Sequence, residues 1–145
     1  KMIEYKVKVW PNGEKWWYLN GDLHREDGPA CEYPSGHKVW YLNGVLHRED
    51  GPAIERVDGT KEWWLNGKRH REGGPACEWA NGDKWWNLNG DLHREDGPAR
   101  EWANGHKEWW LNGKELTEKQ HQAQTQACAN KVIEIDGKKY KLVEA

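Results

Sequence analysis

Short apolar runs separated by turn residues recur along most of this chain. Lys38-Val39-Trp40-Tyr41-Leu42 runs into Asn43-Gly44 and then Val45-Leu46, and the same succession returns from Lys61, Lys84 and Lys107. Short aromatic and β-branched runs bounded by Gly, Pro and Asn read as β-strand rather than helix. The Asn-Gly pairs at 20, 43, 66, 89 and 112 predict two-residue hairpins with positive φ at both positions. A second kind of turn lies between them, at triplets such as Pro34-Ser35-Gly36 and Ala80-Asn81-Gly82. Pro suits the second position of a type I turn and Gly the left-handed residue after it, so these triplets predict three-residue hairpins with a glycine bulge.

These runs and turns recur with a period of 23 residues. Trp17, Trp40, Trp63, Trp86 and Trp109 recur at that interval, as do His24, His47, His70 and His93, each followed by Arg and Glu. A fixed period of this length means stacked supersecondary units, and a stack presents a surface rather than one asymmetric reaction centre. The reading is all-β: an elongated antiparallel meander of tandem hairpins over 4–116, with a C-terminal cap over 117–145.

The three-residue turn fixes the expected register. Glu32 faces Lys38, Glu55 faces Lys61, Glu78 faces Lys84 and Glu101 faces Lys107, each pair contributing about 0.2–1 kcal/mol. One face then carries Lys, Trp and Leu in every unit, with Ala30 opposite Trp40 and Ala76 opposite Trp86. A face that does not vary is expected to be the core face. The other face varies and is rich in aromatics: Trp10, Trp16, Tyr18, Tyr33, Tyr41, Arg56, Trp64, Trp79, Trp85, Trp102 and Trp110. Arg100 is expected opposite Glu108 on this side. The pattern stops at Leu116. Thr117-Glu118-Lys119-Gln120 reads as a helix capping box, opening a polar helix from Thr117 to Ala129. A last hairpin around Asp136-Gly137 should follow, and helix plus hairpin should cap the open edge.

Composition changes this picture in two ways. Acids number 24 against 22 Lys and Arg, a formal charge of −2 that gives no general pull toward nucleic acid. The mean hydropathy of −1.16 would suit a disordered chain. The 12 Trp answer that, because each indole buries on the order of 200 Å². Three cysteines without framework spacing suggest a reducing, cytoplasmic setting. Cys31 and Cys77, two units apart, should sit roughly 19 Å from each other and cannot bridge. No apolar run approaches about 18 residues, so no membrane span or membrane partner is expected.

The 23-residue unit of aromatic, Asn-Gly, two residues and His, followed by a Gly-containing turn and a second Gly-centred hairpin, resembles the MORN repeat. It is most similar to the MORN-like variants of bacterial and phage proteins, some of them partners of toxins. The resemblance covers the run from Glu4 to Gly113 and implies an elongated twisted sheet, one hairpin per repeat, that contacts other macromolecules. It also implies a bacterial cytoplasmic protein, of phage origin in one version.

The His-Arg-Glu-Asp segments at His24-Arg25, His47-Arg48 and His93-Arg94, and the copy at His70-Arg71 that has Gly73 in place of Asp, are the chemically tempting residues. Four near-copies give four equivalent loops, whereas catalysis needs distinct acid and base roles in one place. Equivalent histidines would lie roughly 10 Å apart, too far to share a zinc with ligands at about 2.0–2.1 Å. No catalytic, metal or cofactor site is therefore expected. Each Arg should pair with acids of a neighbouring loop and each Asp should accept backbone N–H groups of its own turn. His121 and Cys128 on the helix read as surface and packing residues, and Lys138, Lys139 and Lys141 as a solvated edge. The expected function is non-enzymatic protein binding through the variable aromatic face, with the His-Arg loops as a secondary surface. Inhibition of a protein target, either a toxin or a bacterial defence enzyme such as a CRISPR effector, fits that reading. A glycan- or nucleotide-binding module using exposed Trp, and a structural element that self-associates through its edge, are the alternatives.

Overall fold

The computed structural model describes residues 2–129, 132–135 and 137–141, with side chains for 2–126 and 137–138. The architecture is an antiparallel meander of hairpins with one short C-terminal helix. The main sheet has 12 strands and runs in sequence order from Lys6–Val9 through Lys15–Leu19, Cys31–Glu32, Lys38–Val39, Ile54–Glu55, Lys61–Glu62, Cys77–Glu78, Lys84–Trp85 and Arg100–Glu101 to Lys107–Leu111 and Lys114–Leu116. Asp22–Leu23 joins it beside Lys15–Leu19.

Both turn types form as expected. Gly36 N–H donates to the Tyr33 carbonyl at 2.9 Å, Tyr33 N–H donates to His37 at 3.0 Å, and Gly36 has φ +92°, which is a type I turn closed by a glycine bulge. The Asn-Gly turns put both residues at positive φ, Asn43 at 49° and Gly44 at 77°, the signature of a type I′ turn. A further support was not read from the sequence. The central residue of most triplets folds its side chain back onto the backbone, as Asp58 Oδ1 does on Thr60 N at 2.8 Å and Asn104 Oδ1 on His106 N at 2.9 Å.

The long strands expected from Lys38 to Leu42 and its equivalents change partners at the tryptophan. Lys38–Val39 pairs with Ile54–Glu55 of the next unit, whereas Tyr41–Leu42 pairs with Val45–Leu46 of its own Asn-Gly hairpin. Trp40 is the hinge of this exchange: its N–H donates to Ala53 O at 2.8 Å and its carbonyl accepts His47 N–H at 3.2 Å. The Asn-Gly hairpins are then tied to each other along the stack by Gly44 N–H to Leu23 O (2.9 Å) and Arg25 N–H to Tyr41 O (3.1 Å), and these bonds recur at the later junctions.

The register places Glu32 against Lys38 and Glu101 against Lys107, as expected. The ion pairs are different. Each carboxylate is taken by the loop Arg that precedes it in the chain, Glu32 by Arg25 at 2.9 Å and Glu78 by Arg71 at 2.8 Å, while the lysines stay exposed. Arg has the planar fork and the loop geometry to reach in, and Lys gains little from an exposed pair.

Burial is shared by both faces, which corrects the expectation of one core face. On the constant side Ala30, Ala53, Ala76 and Ala99 are 0 % exposed, but the Trp column above them is only half-buried. On the variable side Cys31, Val39, Glu62, Cys77 and Asn87 are buried. A single-layer sheet of two-residue strands cannot hide one face completely, so it distributes small buried side chains over both. Burial pushes the Cys31 thiol up to about 11 and the Cys77 thiol up to about 12, and both are free.

The helix spans Glu118–Ala129, with Thr117 and Gln120 exchanging the capping-box bonds at 2.9 and 3.2 Å. It packs on the last two strands of the sheet. Of the surface and packing roles expected on this helix, His121 takes packing: it is buried and its Nε2 lies 2.6 Å from the Arg94 carbonyl, anchoring the helix to the fourth loop. Val132–Ile135 and Lys138–Lys141 form a separate two-stranded hairpin. Asp136 of its turn and the side chains of Cys128, Lys139 and Lys141 lie outside the described residues.

Candidate functional site

Each His-Arg loop is a compact structural joint. Arg48 shows the pattern: Nη1 donates to Glu55 Oε1 at 2.8 Å and to Pro52 O at 3.1 Å, Nε donates to Asp50 at 2.9 Å, and Cζ lies 3.9 Å from the Trp40 ring centroid. Arg25, Arg71 and Arg94 cover Trp17, Trp63 and Trp86 in the same way at 4.2, 3.8 and 3.9 Å. The Arg partners are therefore the Asp and Pro carbonyl of its own loop and the first strand carboxylate of the following unit, not acids of a neighbouring loop as expected. The loop Asp accepts chiefly from the guanidinium. A Cβ at Gly51 would lie 2.9 Å from Arg48 Cζ, so a larger residue there would displace the guanidinium.

Arg25, Arg48 and Arg94 hold the carboxyls of Asp27, Asp50 and Asp96 below the ordinary Asp range, first through the Nε hydrogen bond. A carboxyl whose folded value is depressed stabilises the fold above its unfolded value and loses that contribution as the pH falls through the folded one. The expected result is that stability falls below about pH 4, where an unperturbed Asp titrates. Carboxyl carbon chemical shifts check it: midpoints for these three at or above the ordinary value contradict the Arg contact.

The four histidines are hydrogen-bond acceptors. His24, His47, His70 and His93 each take, at Nδ1, the backbone N–H of the Asn that opens the next unit's Asn-Gly turn, at 3.0, 3.1, 3.1 and 3.0 Å. A backbone N–H can only donate, so the ring proton sits on Nε2. The Asn43 and Asn66 Oδ1 atoms lie 3.0 and 3.1 Å from the same nitrogens. Nε2 points at the loop Glu, 3.6 Å away for His24 and 3.7 Å for His47. His70→Leu leaves Asn89 N–H without its acceptor and should cost about 1 kcal/mol, since that amide has partial access to water. Hydrogen exchange at Asn89 should speed up about fivefold, the same energy converted at 1.4 kcal/mol per tenfold; an unchanged rate would remove the histidine from the turn.

The variable face forms one aromatic surface whose arginines pair with Glu62 and Glu108. Tyr18, Tyr33, Tyr41, Trp64, Trp102 and Trp110 are half-buried, as are the close pairs Trp10–Trp16 and Trp79–Trp85 with centroids 5.7 and 4.5 Å apart. Arg56 is exposed. Burial raises the Tyr33 and Tyr41 phenols above their ordinary value. Arg100 pairs with Glu108 at 3.2 Å, as expected, and lies 4.2 Å from Trp85.

Two residues of this face went unnoticed in the sequence, Arg69 and Asn87. Arg69 bonds the buried Glu62 at 3.1 Å and lies 5.0 Å from the Trp64 centroid. The signal was present as departures from the repeat. Glu62 replaces an apolar residue at the place of Val39, and Arg69 replaces Leu at the place of Leu46, so a buried acid and its cation changed together. Asn87 stands where the other units have Tyr or Trp.

No family model matches the chain, and no characterised protein matches it in sequence. No helix among the described residues is long and apolar enough to cross a membrane.

Proposed function

We propose that this chain is a non-enzymatic, protein-binding module of MORN-like repeats that docks a protein target on its variable aromatic face. The observation that carries the reading is the row of half-exposed Trp and Tyr on that face, crossed by Arg56 and Arg100. Trp, Tyr and Arg are the residues enriched at interface hot spots because they bury large areas at small entropic cost. The groups that could do chemistry point the same way: the His and Arg side chains are already engaged in turn capping and indole stacking. A rigid stack of this kind suits an inhibitor that covers its target, and toxin neutralisation or blockade of a bacterial defence enzyme are roles it would serve in a bacterial cytoplasm.

The test compares the native chain with the Trp79→Ala, Trp102→Ala double variant in affinity capture from host lysate. The variant should keep its cooperative melt and lose the captured target. If soluble sugars or nucleotides instead quench Trp fluorescence saturably, the face is a small-ligand platform and the protein-binding reading fails.

A further inference from the structure

The constant face carries a second surface, built by the loops rather than the strands. Between consecutive His-Arg loops lie clefts of equivalent construction. One, about 790 Å³, has Trp40 and Leu42 as its floor and the loops at Arg25–Pro29 and Arg48–Asp50 as its walls. The next two, about 510 and 520 Å³, repeat this with Trp63 and Leu65 and with Trp86 and Leu88.

The charge on the rims is one-sided. The side chains of Asp27, Glu49, Asp50, Glu72 and Asp96 are 83–88 % exposed, and those of Glu26 and Glu95 are 66 and 65 % exposed. The cations of the same segments are turned inward: Arg25, Arg48, Arg71 and Arg94 lie against indole rings and on strand carboxylates. The loops thus keep their positive charge for the fold and show their negative charge to solvent. At the head of the row, His24 is 5 % exposed and its buried Nε2, without a hydrogen-bond partner among the described residues, is directed at Glu26 of the rim.

The spacing selects the ligand's conformation. The hairpins on the loop side are hydrogen-bonded at every junction, so adjacent clefts are two strand spacings apart, about 9.6 Å. A polyproline II segment advances about 9.3 Å in three residues and returns every third side chain to one side. A fully extended strand puts residues i and i+3 on opposite faces, and an α-helix needs seven residues to advance about 10.5 Å. We infer that this trough binds a basic segment of a partner protein in polyproline II conformation, one Lys or Arg at every third position entering successive clefts. Its cationic heads meet the rim carboxylates, and its apolar stems lie along the Trp and Leu floor. The inference is independent of the variable face.

A labelled peptide of four Arg-Pro-Pro units is the probe, with fluorescence anisotropy as the readout. Its affinity should fall at least tenfold between 50 and 500 mM salt, as screened contacts require. It should also fall at least tenfold in the Glu49→Gln, Glu72→Gln, Glu95→Gln variant, whose exposed positions leave folding intact. A peptide of the same composition with its arginines contiguous should bind at least fivefold more weakly. Equal binding of the two peptides, unchanged affinity of the triple variant, or no binding at 50 mM salt overturns the inference. The Trp79→Ala, Trp102→Ala variant should bind the peptide normally, which separates this surface from the aromatic face; loss of binding there overturns the placement in the trough.

Discussion

Replacing Arg48 by Ala is expected to destabilise the chain by about 2–4 kcal/mol, because one side chain supplies a charged hydrogen bond, a carbonyl contact and a stacked cation together. The guanidinium lies over Trp40 while bonding Glu55, Pro52 and Asp50, and its side chain is 22 % exposed. Truncation uncovers the indole and leaves Glu55 without its cation. The loop it braces also donates Arg48 N–H to Trp64 O at 3.0 Å, a bond to the following unit, so the damage crosses a junction. For a chain of this size the thermal midpoint should drop by about 5–12 °C. Arg48→Lys is the informative control. Lys keeps the charge but cannot lie flat on the ring while reaching two acceptors, so it should recover less than half of the loss. A wild-type melt for the Lys variant would mean that charge alone matters; a loss below about 1 kcal/mol in the Ala variant would put the joint outside the stabilising framework.

The turns, the strand register and the capped helix were legible because each is specified locally. Asn-Gly fixes its own φ values, Pro34-Ser35-Gly36 fixes a bulge, and Thr117 with Gln120 closes a capping box over one turn of chain. What was not legible depended on partners far away in sequence or on competition between them. The Lys38 side chain lies opposite Glu32, yet Arg25 takes the carboxylate, and strand pattern alone cannot rank two cations. The break in the strand at Trp40 has no local breaker residue: it arises because Ala53 of the next unit and His47 of the same unit claim its two backbone groups. For His121 the sequence left surface and packing roles together, and the docking of the helix on the fourth loop decides for packing. In the candidate surfaces, the aromatic row could be read directly, whereas Arg69 and Asn87 were visible only as exceptions to the 23-residue rule. In a repeat protein, such exceptions mark where one unit's environment differs from the rest.

Ala76→Leu should cost about 3 kcal/mol, near the upper end for inserting methylenes into a filled site. Ala76 is 0 % exposed, and so is the adjacent Cys77. Its carbonyl accepts the Trp63 N–H at 2.8 Å, at the point where the strand changes partners. There is no room for a larger side chain without moving that backbone, and moving it uncouples the third unit from the fourth. Ala76→Gly removes one methyl group and adds backbone freedom, so it should cost only about 1 kcal/mol. Overpacking is thus predicted to be worse than underpacking, the reverse of what a loosely filled interior would give. Position in the stack adds a second expectation. Ala30→Leu disturbs a terminal unit, which can fray while the remaining units stay paired, so its melt should broaden and lose less midpoint than that of Ala76→Leu, which severs the array in its middle. Urea unfolding followed by Trp fluorescence measures both. An Ala76→Leu variant within about 1 kcal/mol of wild type, or equal losses from the Ala30→Leu and Ala76→Leu changes, would mean that the alanine column does not set the spacing on which both proposed binding surfaces rest.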